Sequence, residues 1–206
     1  MNNLLEIASQ FKINGTVDQV LPLGSGLIND SYEVKTRGEE NPNYVLQRIN
    51  NTIFQDVDLL QKNIFLVTSF IRKKLEQKNE IDIDRKVITL IPANDDKLYY
   101  FDGTSYWRVT LFISNAITKE TVDAANSYTA GVAFGEFQFM LSDIPDELGE
   151  TIPDFHNMEF RLKQLREAVE KNAAGRLSEV QYLIDEIEKR ADEMCKAERW
   201  YREGKL

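Results

Sequence analysis

The sequence contains one cysteine, one histidine and five prolines among 206 residues. Because Cys195 has no second cysteine to pair with, an intrachain disulfide framework is excluded, and this fits a reducing compartment. The N-terminus shows no basic region followed by an apolar run, so we expect no secretory signal. No apolar stretch approaches the ~20 residues of a membrane-spanning helix. These absences favour a cytoplasmic protein without a membrane partner.

Positive charge is also scarce. The chain has 25 Lys and Arg residues against 34 Asp and Glu residues, which gives a net charge of −9. No basic stripe stands out, so nucleic acid is not expected as a partner. Hydrophobic residues make up 42% of the chain, enough for a packed core. If such an acidic protein binds an anionic nucleotide, it needs a local cationic site or a metal ion.

The Gly-Lys-Ser/Thr signature of a Walker loop is missing, although a glycine-bearing turn is present. Gly24 and Gly26 lie between two predicted strands, at 18–23 and 31–36. In a dinucleotide-binding fold the glycines lead into a helix, so that fold is disfavoured here. Two interpretations remain, an ordinary β-turn and a hairpin loop whose backbone N–H groups cover nucleotide phosphates, as in protein kinases.

The pattern of apolar residues predicts an α+β chain. We predict a short N-terminal helix, a mostly antiparallel sheet with one long helix inserted after its third strand, and then helices only. The predicted helices span 3–11, 56–78, 123–142, 157–172 and 177–202, and the predicted strands occupy 18–50 (three strands), 87–91, 98–101 and 106–113. Asp102-Gly103 is a strong hairpin signal, and Asp82 and Asp84 are interpreted as a solvated strand entry.

The chain therefore divides into a β-rich part, residues 1–113, and a helical part, residues 114–206. A nucleotide is expected in the cleft between the two parts, because ligand sites favour domain junctions. Residues 177–194 carry a narrow apolar seam with steps of three and four. Such a seam packs against one neighbour, and if it is left uncovered it favours self-association.

Arg48 is a charged residue within an otherwise apolar strand. One interpretation makes it the cation that holds phosphate oxygens, and the other makes it a solvent-facing arginine of an edge strand. Kinases pair the third-strand cation with a helix carboxylate. The inserted helix offers Asp56 and Asp58 only near its start, since its middle reads Gln61-Lys62-Asn63.

Four segments of the chain resemble the aminoglycoside phosphotransferase and choline kinase-like superfamily, and within it the bacterial N-acetylhexosamine 1-kinase-like branch. They are Leu21-Pro-Leu-Gly-Ser-Gly-Leu-Ile-Asn-Asp30, Tyr44-Val-Leu-Gln-Arg-Ile-Asn50, Ala130-Gly-Val-Ala-Phe-Gly-Glu-Phe-Gln138 and Glu150-Thr-Ile-Pro-Asp-Phe-His-Asn157. The resemblance implies a protein-kinase-like fold, with an antiparallel N-lobe followed by the first helices of a truncated C-lobe. It also implies a phosphotransferase that uses ATP and Mg²⁺ to phosphorylate a small, sugar-like acceptor.

The resemblance also implies which residues meet the nucleotide. The covering loop would be formed by Gly24, Ser25, Gly26, Leu27, Ile28, Asn29 and Asp30, the third-strand cation would be Arg48, and the hinge that meets the adenine would be formed by Leu111, Phe112 and Ile113. The family's catalytic loop, His-x-Asp-x-x-x-x-Asn, and its later metal-binding aspartate are absent. His156 is the only histidine, and we expect a structural or substrate-lining role for it. No catalytic residue and no metal ligand is therefore predicted.

We expect that the chain stops before the catalytic loop and is inactive as a kinase by itself, because base and metal ligands are missing. One alternative function is a non-catalytic nucleotide-binding or protein-interaction module. Another is a kinase for a different acceptor, such as an aminoglycoside or an amino alcohol.

Overall fold

The protein divides into two compact units, and each is described by itself. A computed structural model describes residues 4–24, 26–117, 121 and 123–205. The units are Met1–Thr151 and Ile152–Leu206. The first unit therefore contains the sheet and also the first helix of the helical part. The predicted boundary between residues 113 and 114 separates a β-rich lobe from a helical lobe, which is a different division of the chain, and it stays a prediction.

The first unit is built on an antiparallel sheet. Its strands are β1 (Val17–Pro22), β2 (Asp30–Thr36), β3 (Tyr44–Ile49), β4 (Leu90–Ile91), β5 (Tyr100–Phe101) and β6 (Tyr106–Leu111). The spatial order is β1-β2-β3-β6-β4, and β5 pairs with β6 next to β4. The three early strands and the hairpin at Asp102-Gly103 confirm the sequence-based prediction. The fourth and fifth strands are shorter than predicted.

Four helices accompany the sheet in the described part of the first unit. They are α1 (Leu4–Ala8), α2 (Val57–Gln77), α3 (Ile83–Lys86) and α4 (Ala124–Leu141). The short helix α3 was not predicted, and it explains the short β4. Because the N–H of Val87 bonds to Ile83 O at the end of α3, the strand predicted from residue 87 starts only at Leu90.

The two faces of the sheet carry different cores, because side chains alternate along each strand. On one face α1 packs against Val34, Leu46, Trp107 and Val109, all at most 5% exposed. On the other face Ile49 packs with Val57 and Leu60 of α2. We call these the α1 face and the α2 face. A side chain on β2, β3 or β6 can be assigned to one of them from its register.

Helix α2 is fixed at both ends. Its start is capped by Asp56, whose side chain accepts a hydrogen bond from Leu59 N. Near its end, Arg72 donates to Asp84 and Thr89, at 2.6 and 2.5 Å. Asp84 therefore lies in α3 and binds α2, and the prediction of a solvated strand entry was wrong.

Lys74, near the C-terminal end of α2, forms a tertiary contact. Its ammonium group donates to Met140 O at 2.7 Å and pairs with Asp143. The same group lies 4.6 Å from the ring centre of Phe70. Lys74 thus binds the C-terminal end of α4 to α2.

Helix α4 exposes large apolar side chains in several directions. Tyr128, Phe134 and Phe139 are 77%, 70% and 74% exposed, and Val132 and Phe137 are 43% exposed. A helix that is apolar on all sides is normally buried. Within the described residues, however, no helix is both long enough and apolar enough to cross a lipid bilayer.

The second unit consists of α5 (Met158–Lys171), α6 (Leu177–Met194) and α7 (Lys196–Arg202). Asn157 caps α5 by accepting a hydrogen bond from Phe160 N. The predicted single helix over 177–202 is interrupted at Cys195, whose φ of −86° and ψ of 2° leave the helical region.

Helices α5 and α6 are joined by a two-pronged ion pair. Arg166 donates to both carboxylate oxygens of Glu188, at 2.8 and 2.6 Å. Leu162 and Cys195 form the buried part of the unit, at 5% and 9% exposure. From Leu177 to Ala191 the apolar seam of α6 is half-buried. Self-association through residues 177–194 stays a prediction.

Candidate functional site

The glycine-bearing turn joins β1 to β2 at one end of the sheet. The turn is closed by a hydrogen bond from Leu23 N to Ser31 O, at 2.8 Å. Gly24 has a φ of +67°, a conformation that residues with a side chain rarely adopt. A Cβ at Gly26 would lie 2.4 Å from Asn29 O, so only glycine fits there. Ser25, predicted as a nucleotide contact, lies outside the described residues.

Asn29 holds the turn against the third strand. Its side-chain oxygen accepts a hydrogen bond from the backbone N–H of Asn50, at 2.9 Å. The preceding residues of the turn face solvent, since Leu27 is 100% exposed and Ile28 is 45% exposed. The turn is therefore fixed at its C-terminal side and has an exposed apolar tip.

Arg48 lies on the α1 face of the sheet and is bound by Asp30. Its Nε donates to Asp30 Oδ2 at 2.7 Å, and a terminal nitrogen binds the same oxygen. The side chains of Arg48 and Asp30 are 51% and 47% exposed. A phosphate contact from Arg48 would therefore have to compete with this carboxylate. Both residues line a cavity of about 360 Å³ beside the turn, together with Ile28, Asn50 and Ser105.

The α2 face carries a polar row that the sequence analysis missed. Ser31, Gln47 and Arg108 lie side by side on β2, β3 and β6, because Gln47 is the register partner of both other residues. Arg108 Nε donates to Gln47 Oε1 at 2.9 Å, and Gln47 Nε2 donates to Ser31 Oγ at 2.9 Å. One signal in the sequence could have revealed this row. Side chains alternate between the two faces of a strand, so Gln47 lies on the same face as Ile49.

Burial lowers the pKa of the Arg108 guanidinium, which is half-buried between its neighbours. Within the described residues, no carboxylate oxygen lies within 4.0 Å of its nitrogens. Arginine remains a cation in spite of such a shift. The row therefore holds a positive charge that no acidic side chain of the described part balances directly.

The carboxylates at the start of α2 already have partners. Asp56 accepts from Leu59 N, and Asp58 accepts from the hydroxyl of Tyr99 at 2.9 Å. Burial, together with the hydrogen bond to Asp58, raises the pKa of Tyr99 to about 12. Neither carboxylate is bonded to Arg48 or Arg108. The described contacts of Asp56 and Asp58 therefore do not include the pair between a helix carboxylate and a third-strand cation that protein kinases form.

Gln61 is the polar residue that α2 buries. It is 2% exposed, and its amide nitrogen and oxygen form no hydrogen bond with the described part of the chain. It lies one helical turn after Val57, which packs on Ile49 of β3. Since unpaired buried amides are costly, Gln61 is an unusual residue for this position.

The predicted hinge follows the end of β6. Phe112 N donates to Asn43 O at 2.9 Å, which leaves Phe112 beside the β2–β3 turn. The backbone N–H and C=O of Ile113 form no hydrogen bond within the described residues. Leu111, Phe112 and Ile113 are half-buried. A segment of this kind can pair with the edge of a heterocyclic base.

No metal centre can be assigned in the described residues, since they contain no group of three or more His, Cys, Asp and Glu side chains able to hold an ion. Asp30 is bound to Arg48, and Asp58 is bound to Tyr99. These residues do not fit the oxygen-rich shell that Mg²⁺ requires. His156 lies in the second unit, where its ring is 4.4 Å from that of Phe155.

These elements define a protein-kinase-like fold: an antiparallel N-lobe sheet, one long helix inserted after its third strand, and helices after it. No protein-family model matches the sequence. Among solved structures, the chain is similar to spectinomycin phosphotransferase in complex with ADP and spectinomycin, with a TM-score of 0.51 and 12% identity. The match covers 92% of this chain and 55% of that one, so the chain spans about half of its length.

Proposed function

We propose that this chain is the nucleotide-binding portion of an ATP-dependent small-molecule phosphotransferase. One observation carries the proposal: a turn that has no room for a side chain at Gly26 is fixed by Asn29 to the third strand of a kinase-like sheet. Small residues in such a turn let backbone N–H groups approach phosphate oxygens. Residues 24–30 would cover the phosphates, and the unpaired backbone of Ile113 supports adenine binding at residues 111–113.

The acceptor class is proposed on two grounds. The sequence resembles N-acetylhexosamine 1-kinase-like proteins, which favours a sugar. The structural neighbour is a spectinomycin phosphotransferase, which favours the alternative of an aminoglycoside-like acceptor. We place the sugar first, because the resemblance involves four segments of this sequence. Mg²⁺ belongs to the proposal as the companion of ATP, and we assign it no ligand in this chain.

The chain by itself is expected to bind nucleotide without transferring phosphate. The sequence has no His-x-Asp-x-x-x-x-Asn segment, so the acceptor hydroxyl has no assigned base. A non-catalytic nucleotide-binding or interaction module is the second candidate, and the exposed apolar side chains of α4, such as Phe134 and Phe139, favour its interaction form. Both candidates share nucleotide binding, and both expect no turnover from this chain alone, so titration tests the property that they have in common.

The test is calorimetric titration of the 206-residue chain with ATP and with ADP, with and without Mg²⁺, using GMP as the control. We expect saturable binding of ATP and ADP. A coupled assay with ATP and N-acetylhexosamine, spectinomycin or choline should give no turnover above background. Absence of nucleotide binding would overturn the proposal, and turnover would overturn the expected inactivity.

A further inference from the structure

The hydrogen bonds of the polar row on the α2 face run in one direction, from Arg108 to Gln47 and from Gln47 to Ser31. Gln47 Oε1 accepts from Arg108, and Gln47 Nε2 donates to Ser31 Oγ. Ser31 Oγ is thus an acceptor for Gln47, and its own proton is left to donate elsewhere. A guanidinium has five N–H donors, and only the one on Nε is used within the described residues. The unused donors of the row, which are the other guanidinium N–H groups, the Ser31 hydroxyl proton and the second N–H of Gln47 Nε2, outnumber its unused lone pairs on Ser31 Oγ and Gln47 Oε1.

A row of donors that carries a positive charge is suited to an anion. The acidic side chain nearest along β2 on the same face is Glu33, which is two residues from Ser31. Glu33 accepts from Asn43 Nδ2 at 3.3 Å and lies 4.0 Å from Lys35 Nζ. It is not paired with Arg108. The positive charge of the row therefore lacks an acidic counterpart among its described neighbours.

Helix α2 supplies a second, independent observation. In protein kinases a helix carboxylate pairs with the cation of the sheet. The corresponding middle of α2 buries Gln61, whose amide forms no hydrogen bond within the described part. The sheet face that α2 covers thus carries an unbalanced guanidinium, and α2 itself buries an unpaired amide; each costs free energy unless a partner satisfies it.

We propose that Ser31, Gln47 and Arg108 form an anion site on the α2 face, and that this site binds a phosphate group of the nucleotide. The inference rests on the proposed nucleotide-binding function and deepens it. It assigns the phosphate-binding cation to the strand next to the third strand. Arg48, on the opposite face, is neutralised by Asp30. Arg108 and Ser31 donate to phosphate oxygens, while Gln47 holds both donors in place.

The experiment is calorimetric titration with two probes, ATP and inorganic tripolyphosphate. The variants are Arg108→Gln, Arg108→Lys and Arg48→Gln, and Arg37→Gln is the matched control. Arg37 also carries one positive charge, directly after β2, but it is exposed and paired with Asp18. We expect Arg108→Gln to weaken both probes roughly ten- to a hundredfold, and Arg108→Lys to weaken them less. Arg37→Gln should change affinity less than about twofold.

The possible outcomes separate the two proposals. If ATP binds the wild type and Arg108→Gln equally well, the anion site is overturned and the nucleotide-binding function stands. The same holds if only Arg48→Gln weakens ATP. If tripolyphosphate binds through Arg108 but ATP binds no tighter than tripolyphosphate, the anion site stands and the nucleotide function fails. If the wild type binds neither probe, both proposals fail.

A folding measurement separates a binding role from a structural one. Without ligand, the Arg108→Met variant should unfold at the same temperature as the wild type or at a higher one. The substitution removes a half-buried cation that has no carboxylate partner, and such a charge is costly to bury. Circular dichroism at rising temperature measures this. A clear loss of stability together with unchanged ATP binding would assign Arg108 to the fold and overturn the anion site.

Discussion

Asn29 and Asn50 connect the two segments that the sequence singled out, through a 2.9 Å hydrogen bond from the backbone of Asn50 to the side chain of Asn29. The bond lies beyond the last pair of the β2–β3 ladder, Asp30 with Arg48. It therefore adds one more hydrogen bond between the two segments, in which the acceptor is a side-chain oxygen instead of a backbone carbonyl oxygen. The end of the glycine turn is fixed by a group that a single substitution can remove.

Asn29→Ala should loosen the turn without unfolding the protein. We expect a loss of about 1 kcal/mol in the free energy of unfolding, the usual value for one hydrogen bond. ATP binding should weaken several-fold, because the turn is no longer held in place. Urea unfolding and ATP titration measure the two effects. Asn51→Ala is the control, since Asn51 is exposed and should show neither effect.

Gly26→Ala should affect the turn more than the fold. The new Cβ would approach Asn29 O to 2.4 Å, so the turn must change shape. Gly103→Ala is a useful comparison, because Gly103 has a φ of +95° but no atom within 4 Å of the added carbon. We expect Gly103→Ala to lower stability by about 1 kcal/mol and leave ATP binding intact. Equal ATP affinities for the two variants would contradict the proposed role of the turn.

Lys74→Met should weaken the attachment of α4 to α2. It removes the bonds to Met140 O and Asp143 while keeping a flexible side chain of similar length. Because the Lys74 side chain is 23% exposed, we expect a loss of about 1–2 kcal/mol in urea unfolding. The neighbouring change Lys73→Met, at an exposed position, should alter stability by less than about 0.5 kcal/mol. Similar losses for both variants would rule out the Lys74 contact as a source of stability.

The Arg72–Asp84 pair should make stability depend on acidity. Hydrogen bonds from Arg72 and Thr89 hold the pKa of Asp84 below 3.8, its ordinary value. The stabilising contribution is therefore present above that value and is lost as the pH falls through the folded-state pKa. Asp84 is 56% exposed, so the contribution at neutral pH should be below about 1 kcal/mol.

Urea midpoints of wild type and Asp84→Asn, measured from neutral pH down to about pH 2, test this. The two midpoints should differ near pH 7 and converge at the acid end. Asp82→Asn is the control, because the Asp82 side chain makes no capping hydrogen bond and its left-handed backbone also accommodates asparagine. A difference between wild type and Asp84→Asn that persists unchanged in acid would contradict the assignment.

The sheet and the long helix were predictable because local patterns specify them. β-Branched residues indicated the three early strands, Asp102-Gly103 indicated the hairpin, and an apolar stripe at helical spacing indicated α2. Helix α3 was missed because four residues are too few to show a helical period. The structure shows Arg72 and Lys74 in tertiary contacts, which a helical pattern cannot distinguish from solvated positions.

The candidate site was predictable only in part, for a physical reason. The glycine turn is a local feature, so its residues could be named from the sequence. Arg48 was chosen as the phosphate-binding cation because it stands in the third strand. Its environment, however, depends on which face of the sheet it occupies and on which side chains the neighbouring strand places beside it. Arg108 follows Trp107 in a strand of apolar and aromatic residues, and only the register with Gln47 shows that the two side chains meet.

Helix α2 is bonded to three different elements of the first unit. Asp58 binds Tyr99 beside β5, Arg72 binds α3, and Lys74 binds the end of α4. A rotation of α2 about its axis would have to stretch or break these bonds together. Helix α2, with its 21 residues, therefore links the sheet edge to α4. A shift of α2 along or about its axis would change its contacts with both.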